Sequence, residues 1–491
     1  MHRLKTVRLE DLSVVAVLIF FGVAGSIPGI APNQANEMTG AAATALQTLI
    51  GVGAQLVVNL IIAVFLVQHR QLMRQSAMLL LAPLTLTGWA LASIAWSSDP
   101  GLTARRAIPF GMASAFAACL TLRFPQQRLL VLVRCTFLVL AFWSAVLALT
   151  FPAIGLDAST GHGGDWQGAF TQKNACGRAM VFAIAAMCTQ RGFSTTRGIM
   201  LLLFVAELGF SGSRGAWLLG GVLLAALGMF RAGCALERST RTAFFAVSII
   251  VGSCLCGFGV AEFPVIAELI GRDPTLTGRT AIWHEVWLAI RHRPLLGYGF
   301  SAFWHGAQGA SWDVVVALKF VLFHAHNGFL EIWLELGGAG LLLFLAGFTR
   351  ALVLLWPEVR AGQFEEAAWP FSILLLVALY DIDENTLLTF NGLFWVLYCA
   401  VLVQLEVQAS ARRHVRAVLA SVRPSPTSTG WIAPALASCE SMPSPSMWLP
   451  AGNRMVPWLQ RRSAADTPEL SGLHAKIAQP RGMHHGGSPW L

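Results

Sequence analysis

Three short polar stretches interrupt an otherwise apolar chain, and their residue types suit chemistry on an anion. They are Gln172-Lys173-Asn174, Ser211-Gly212-Ser213-Arg214 and His324-Ala325-His326-Asn327. Each stands where an apolar run of helical length begins. A helix N-terminus carries unpaired backbone N–H groups and a partial positive charge. Three such ends pointing the same way, with Lys173 and Arg214 beside them, would form an anion site that a phosphate or pyrophosphate fits best. His326 is the residue type for a general base, because an imidazole with an ordinary pKa near 6.5 accepts a proton around neutral pH. Glu331 and Glu335, spaced i to i+4 behind it, would be costly against lipid. They are expected to face the bundle interior, with Glu331 near enough to the helix start to touch the site and to orient or polarise His326.

Plainer roles stand beside these. Asn174, Ser211 and Ser213 are N-cap types, Arg214 can snorkel to headgroups, and Lys173 can serve as an interfacial anchor. His324 reads as structural. Gly337 and Gly340 read as a close helix-packing face. Asp381, Asp383 and Glu384, between the last two apolar runs, read as solvated loop carboxylates.

The elements that must position these residues follow from hydropathy. Of the 491 residues 55% are hydrophobic and only 12% charged, and the mean hydropathy is +0.62, too apolar for a soluble domain. The class is therefore all-α and polytopic in a membrane. About twelve spans of the length a bilayer needs are expected, over 12–30, 42–67, 78–97, 107–122, 129–152, 174–190, 197–212, 214–231, 242–260, 327–347, 367–382 and 386–405. An even count puts both termini on one side. Arg3, Lys5, Arg8, Arg70, Arg74, Arg123, Arg128, Arg191, Arg197, Arg231, Arg238, Arg241, Arg350 and Arg360 gather on that side, which the positive-inside rule makes cytoplasmic. The first run follows three basic residues as a signal sequence does, yet its length and the lack of a small-residue cleavage pattern favour an uncleaved span. The three polar starts then face the opposite, non-cytoplasmic side.

Four regions result: spans 1–9 over 1–260, a long periplasmic loop over 261–326, spans 10–12 over 327–405, and a disordered cytoplasmic tail over 406–491 rich in Pro, Ser, Gly and Arg. The loop carries Arg272, Arg279, Arg291, Arg293 and Lys319 against the orienting bias, so those charges need another reason to be there. Its residues 279–291 place Ile282, Trp283, Val286, Trp287 and Ile290 on one helical stripe, which is expected to lie on the membrane surface. Pro294 ends that helix, and Leu-Leu-Gly-Tyr-Gly-Phe300 continues as a tight turn. The net charge of +9 sits in loops and tail with no basic face carrying aromatics, which argues against nucleic acid. Most of the nine cysteines fall in or beside apolar runs and read as small core hydrophobes, and Cys254-Leu255-Cys256 is too close for a tetrahedral metal site. No metal or cofactor is expected.

At these residues the chain resembles the O-antigen ligase and polymerase family of bacterial envelope glycan assembly, nearest its exopolysaccharide polymerases of the ExoQ type. The matching features, in order, are Gly168-Ala-Phe-Thr-Gln-Lys-Asn174, then Ser213-Arg214-Gly215, then Gly278-Arg279-Thr-Ala-Ile-Trp283 with Arg293-Pro-Leu-Leu-Gly-Tyr-Gly-Phe300, and last His326-Asn327 with Gly337 and Gly340. The resemblance spans roughly residues 160 to 347. It implies a GT-C-like, metal-independent glycosyltransferase of the bacterial inner membrane. Its donor would be an oligosaccharide on undecaprenyl pyrophosphate, among membrane lipids and pathway partners such as a flippase and a chain-length regulator. By carry-over, Arg214 and Arg279 would bind the pyrophosphate and His326 would act on the acceptor hydroxyl. Lys173, Asn174, Ser213, Asn327, Glu331 and Arg272 would line the substrate site. Polymerase, ligase and a flippase or other transporter of lipid-linked sugar are the functions left to separate.

Overall fold

The computed structural model describes residues 8–23, 45–157, 164–190, 192, 194–261, 278–305 and 309–421. Every expected apolar run overlaps a helix among them, although residues 24–30 of the first run and 42–44 of the second lie outside the described residues and the last helix starts at Leu393, not 386. We number these α1 Leu9–Gly22, α2 Ala45–Gln68, α3 Ala77–Ala92, α4 Pro100–Arg123, α5 Gln126–Thr150, α6 Lys173–Cys188, α7 Thr195–Phe210, α8 Arg214–Ala235 and α9 Arg238–Ala261. The loop supplies α10 Arg279–His292 and α11 Trp312–Leu318, and the last spans are α12 Gly328–Ala361, α13 Phe364–Asp383 and α14 Leu393–Ser421. No strand forms among the described residues beyond one bridge between Leu156 and Trp166. Among the described residues, six helices are both long and apolar enough to cross a bilayer: α2, α3, α5, α8, α12 and α14. The protein is a multi-pass helical membrane protein.

Burial in the bundle is inverted relative to a soluble protein. On α2, Leu46, Leu49, Val52, Leu56, Leu60, Val64 and Val67 recur at helical spacing and are exposed, so that stripe meets lipid. Helix α6 is the opposite case. Residues 179–187 are buried all round, with small Ala179, Ala183, Ala185 and Ala186 letting α5, α7, α8 and α13 approach closely. Polar ties replace some of the hydrophobic drive that lipid cannot supply. Ser114 Oγ accepts from Trp395 Nε1 at 2.8 Å and from Thr87 Oγ1 at 3.0 Å, joining α3, α4 and α14.

Helix α12 breaks at Gly337, where φ is 72° and ψ is −179°. The turn 293–300 is wedged into the break. The freed carbonyls of Leu334 and Glu335 accept from the Tyr298 and Gly299 N–H groups at 3.0 and 2.8 Å, and Leu336 O accepts from Trp89 Nε1 at 3.0 Å. In return the Gly338 N–H donates to Pro294 O at 2.8 Å. A Cβ on Gly337 would collide with the Leu295 carbonyl. Gly337 is thus the site of a helix break whose backbone groups are re-satisfied by the loop, as membrane burial demands. The packing-face expectation for it is corrected. Gly340, buried with Trp89 beside it, does serve close packing.

Two further expectations change. The stripe of α10 packs onto protein, because Ile282, Val286 and Ile290 share a buried cluster with Tyr298, Phe303, Val314 and Leu334. Trp287 alone stays largely exposed, its ring 5.3 Å from Trp333. Helix α14 runs to Ser421, so the tail boundary set at 406 falls inside a helix. There Glu406 pairs with Arg350 and Glu358 with Arg412, and Arg123–Glu10 and Arg128–Asp11 join the same end of the bundle. Residues 422–491 lie outside the described residues.

Candidate functional site

Asn327 caps α12: its Oδ1 accepts from the Leu330 N–H at 2.9 Å, and its Nδ2 donates to Ile382 O at 3.1 Å. The same side chain therefore starts one helix and ties it to the end of α13. Next to it His326 adopts a left-handed φ of 51°, a conformation rare outside glycine that clusters at functional sites. The His326 N–H points to His324 Nδ1 at 3.3 Å, and the two rings lie 4.0 Å apart.

The carboxylate facing this turn is Glu384. Its Oε2 lies 3.5 Å from His326 Nδ1, and its Oε1 accepts from Arg279 Nη2 at 3.3 Å. Glu384 is only 7% exposed and Asp381 is fully buried. The reading of those two as solvated loop carboxylates is corrected. Asp381 instead accepts from the Thr386 N–H and Oγ1 at 2.9 and 2.6 Å, closing the turn that presents Glu384. Burial alone would raise the Glu384 pKa. The contact with His326 and the charges of His324, His326 and Arg178 outweigh it, leaving the value at about 2.

Burial lowers the His324 pKa to about 4, helped by His326, Arg178 and Arg279 and opposed by Glu384. His324 is therefore neutral, with Nδ1 the acceptor and the proton on Nε2. The stability consequence has a definite sign. The unfolded chain takes up a proton near the ordinary 6.5 while the folded protein does not until about 4, so the His324 contribution is intact above pH 6.5 and lost as pH falls toward 4. In detergent, the thermal midpoint is expected to drop across that window, and His324→Gln should flatten the drop. An unchanged slope would reject the neutral assignment.

Glu331 faces the bundle interior and reaches the site, as expected, being 1% exposed. Its Oε1 accepts from Trp304 Nε1 and its Oε2 from the Ala325 N–H, both at 2.7 Å. It holds the middle of the His324–His326 turn in place, and the carboxylate directed at His326 is Glu384.

The other two polar starts form a second cluster. Ser213 Oγ donates to Asn174 Oδ1 at 2.9 Å, and Lys173 Nζ donates to Asp165 Oδ2 at 2.7 Å. Neither Asn174 nor Ser213 acts as a side-chain N-cap. Gln172 holds that position for α6, and Ser213 stands at the cap of α8 without a capping bond. Arg214 begins α8 and is exposed, with no hydrogen bond or ion pair among the described residues joining it to Arg279, His326 or Glu384. Arg272 lies outside the described residues.

With this geometry in hand, residues 199–345 match the family model described as O-antigen ligase. The chain is similar to that family over this stretch. It is also 27% identical over 319 residues to the exopolysaccharide production protein ExoQ of Rhizobium meliloti, covering 61% of this chain and 72% of that protein. Two Rickettsia proteins bearing a polysaccharide-ligase name, one from R. prowazekii and one from R. felis, are 33% and 31% identical. Each match covers 27% of this chain and 35% of the relative, so the chain aligns with about a third of those two.

The matched stretch contains Arg214, Arg279, His324, His326 and Glu331, but not Lys173, Arg178 or Glu384. Of the last two, Arg178 is the residue that sequence reasoning passed over, and Glu384 the one it read as solvated. Arg178 is a lone cation within the apolar run of α6, and an ionisable residue there is a functional lead by default. Glu384 ends an acidic run at a span boundary, the same signal that marked His326-Asn327. His324, His326 and Glu384 offer ligand atoms within 4.8 Å of one another, a set a metal ion can use. Arg279 and Arg178 add two positive charges to that cluster, a surplus that suits an anion better.

Proposed function

We propose that the protein is a polysaccharide polymerase of the bacterial inner membrane. It transfers glycan from an undecaprenyl-pyrophosphate donor to a lipid-linked acceptor repeat unit at the periplasmic face, with both termini cytoplasmic. The observation that carries this reading is the constellation of His326, Glu384 and Arg279, a base and a guanidinium that meet the same carboxylate at 3.5 and 3.3 Å. His326 accepts the proton of the acceptor hydroxyl, and Glu384 stabilises the imidazolium that results. The acceptor oxygen bonds to the anomeric carbon as the bond to the pyrophosphate oxygen breaks. The lipid diphosphate leaves with that electron pair, and Arg279, with Arg214 by family analogy, neutralises the charge where it develops. One displacement inverts the anomeric centre and needs no metal. Lys173, Asn174, Ser213, Asn327 and Arg272 belong to the substrate-binding surface, and a flippase and chain-length regulator of the same pathway are the partners.

The ExoQ-like match reaches over 61% of the chain, against 27% for each of the two ligase-named relatives, which favours polymerase over ligase. A ligase using lipid A-core as acceptor remains the second reading, on the strength of the O-antigen ligase domain. A flippase or other transporter finds less support, because the polar groups gather at helix ends and not at mid-bilayer. The full-length protein in detergent, given a polyprenyl-diphosphate-linked repeat unit as donor and acceptor, is expected to make longer chains without any gradient and with inverted anomeric configuration. Transfer only to lipid A-core would favour the ligase reading, and retention of configuration would sink the single-displacement mechanism.

A further inference from the structure

Arg178 lies on α6 four residues before Phe182, hence on the same face and one turn nearer the helix start. The Phe182 ring is 4.3 Å from Phe394 and 6.0 Å from Tyr380, and the Arg178 guanidinium carbon is 5.2 Å from the same Phe394 ring. Tyr380 is followed by Asp381 and Glu384 as α13 ends. Arg178 is thereby placed beside the turn that presents Glu384, across from Arg279 on α10. Its charge acts on His324, Asp381 and Glu384 together.

Its hydrogen bonding is incomplete. The buried Nε has no partner, and Arg178 forms no ion pair among the described residues. The nearby carboxylates are engaged elsewhere, Asp381 by Thr386 and Glu384 by Arg279 and His326. The Phe394 ring face offers a cation–π contact but no acceptor for an N–H group. A sheltered guanidinium without an anion is costly, and it is kept where an anion arrives.

We propose that Arg178 contacts the donor: it binds one phosphate of the lipid diphosphate from the α6 side while Arg279 binds from the α10 side. This rests on the donor reading given above. Two planar guanidiniums approaching from different helices can each take a phosphate through paired N–H groups, which a lysine point charge cannot reproduce. Glu384, paired with Arg279 in the absence of donor, is then released from it toward His326, so that donor binding readies the base.

The test is titration of the full-length protein in detergent with inorganic pyrophosphate, followed calorimetrically so that turnover is not needed. Arg178→Gln is expected to weaken binding by roughly tenfold or more, with Arg178→Lys intermediate. Binding equal to wild type in Arg178→Gln would overturn the proposal, whatever happens to activity, and would leave Arg178 a packing residue over Phe394. If the glutamine variant does not fold, Arg178→Met keeps the apolar stem over Phe394 and is read the same way. Arg279→Gln separates the two levels of the argument. Loss of binding in Arg279→Gln alone rejects only the Arg178 assignment, whereas wild-type binding in both variants also rejects the diphosphate donor.

Discussion

Replacing His326 by alanine is expected to lower glycan transfer by about 10²–10⁴-fold, the range general-base removal normally costs, with insertion and folding intact. The expectation of an intact fold comes from the local geometry. His326 is held through its backbone, and its ring has no partner beyond His324 and Glu384, so truncation empties a polar site without opening the apolar core. Its left-handed backbone at φ 51° is unfavourable for alanine as well, a cost of order 1–3 kcal/mol that Ala325 and Asn327, each hydrogen-bonded in place, can absorb. Rates with a defined donor should fall through kcat, since the base acts in the transition state more than in binding. A variant that keeps activity within about threefold of wild type while folding normally would falsify the role of His326 as base.

The second large effect concerns a residue with no side chain. Gly337→Ala should destabilise the protein and uncouple the loop from the bundle. A φ of 72° with a ψ of −179° belongs to a region essentially closed to other residues, at about 1–3 kcal/mol for the backbone alone. The added methyl would also strike the Leu295 carbonyl and lie 2.5 Å from the Leu296 nitrogen, both fixed backbone atoms. Pushing them away breaks the bonds from Tyr298 and Gly299 to the carbonyls of Leu334 and Glu335, leaving polar groups unpaired at membrane depth. The expected results are a lower thermal midpoint and faster proteolysis within 293–300. A Gly337→Ala protein that melts with wild type would show that the break is not the joint described.

The bundle was legible because hydropathy is a property of runs, and each expected run overlaps a helix, although among the described residues only six helices meet the length and apolarity of a crossing segment. The motif residues were legible as types at helix starts. What the sequence concealed were pairings across long separations. Glu384 meets Arg279 over 105 positions, and nothing local tells a buried carboxylate at a span end from a solvated one. The stripe on α10 illustrates the same limit. An amphipathic period says that one face is covered, and here Val314 and Leu334 cover it where lipid was expected. Glu331 was rightly read as facing inward, being 1% exposed, but periodicity could not say that it would reach Ala325 and Trp304 and not the histidine ring.

The break at Gly337 also divides labour along α12. Residues 328–336 form a short segment about 13 Å long, bonded to the turn 293–300 and, through Asn327, to the end of α13. Below the break, residues 338–361 belong to the lipid-facing bundle, with Leu342, Leu345, Leu352 and Val353 exposed. A helix that crosses a bilayer tilts or bends to match its thickness, and an unbroken α12 would carry His326 along with every such adjustment. The turn 293–300 is bonded on both sides of the break, to Leu334 and Glu335 above it and to Gly338 and Ala339 below it, so the bend and the loop that carries Arg279 are held together. The loop is a brace on the bend, and α12 cannot straighten without letting go of it.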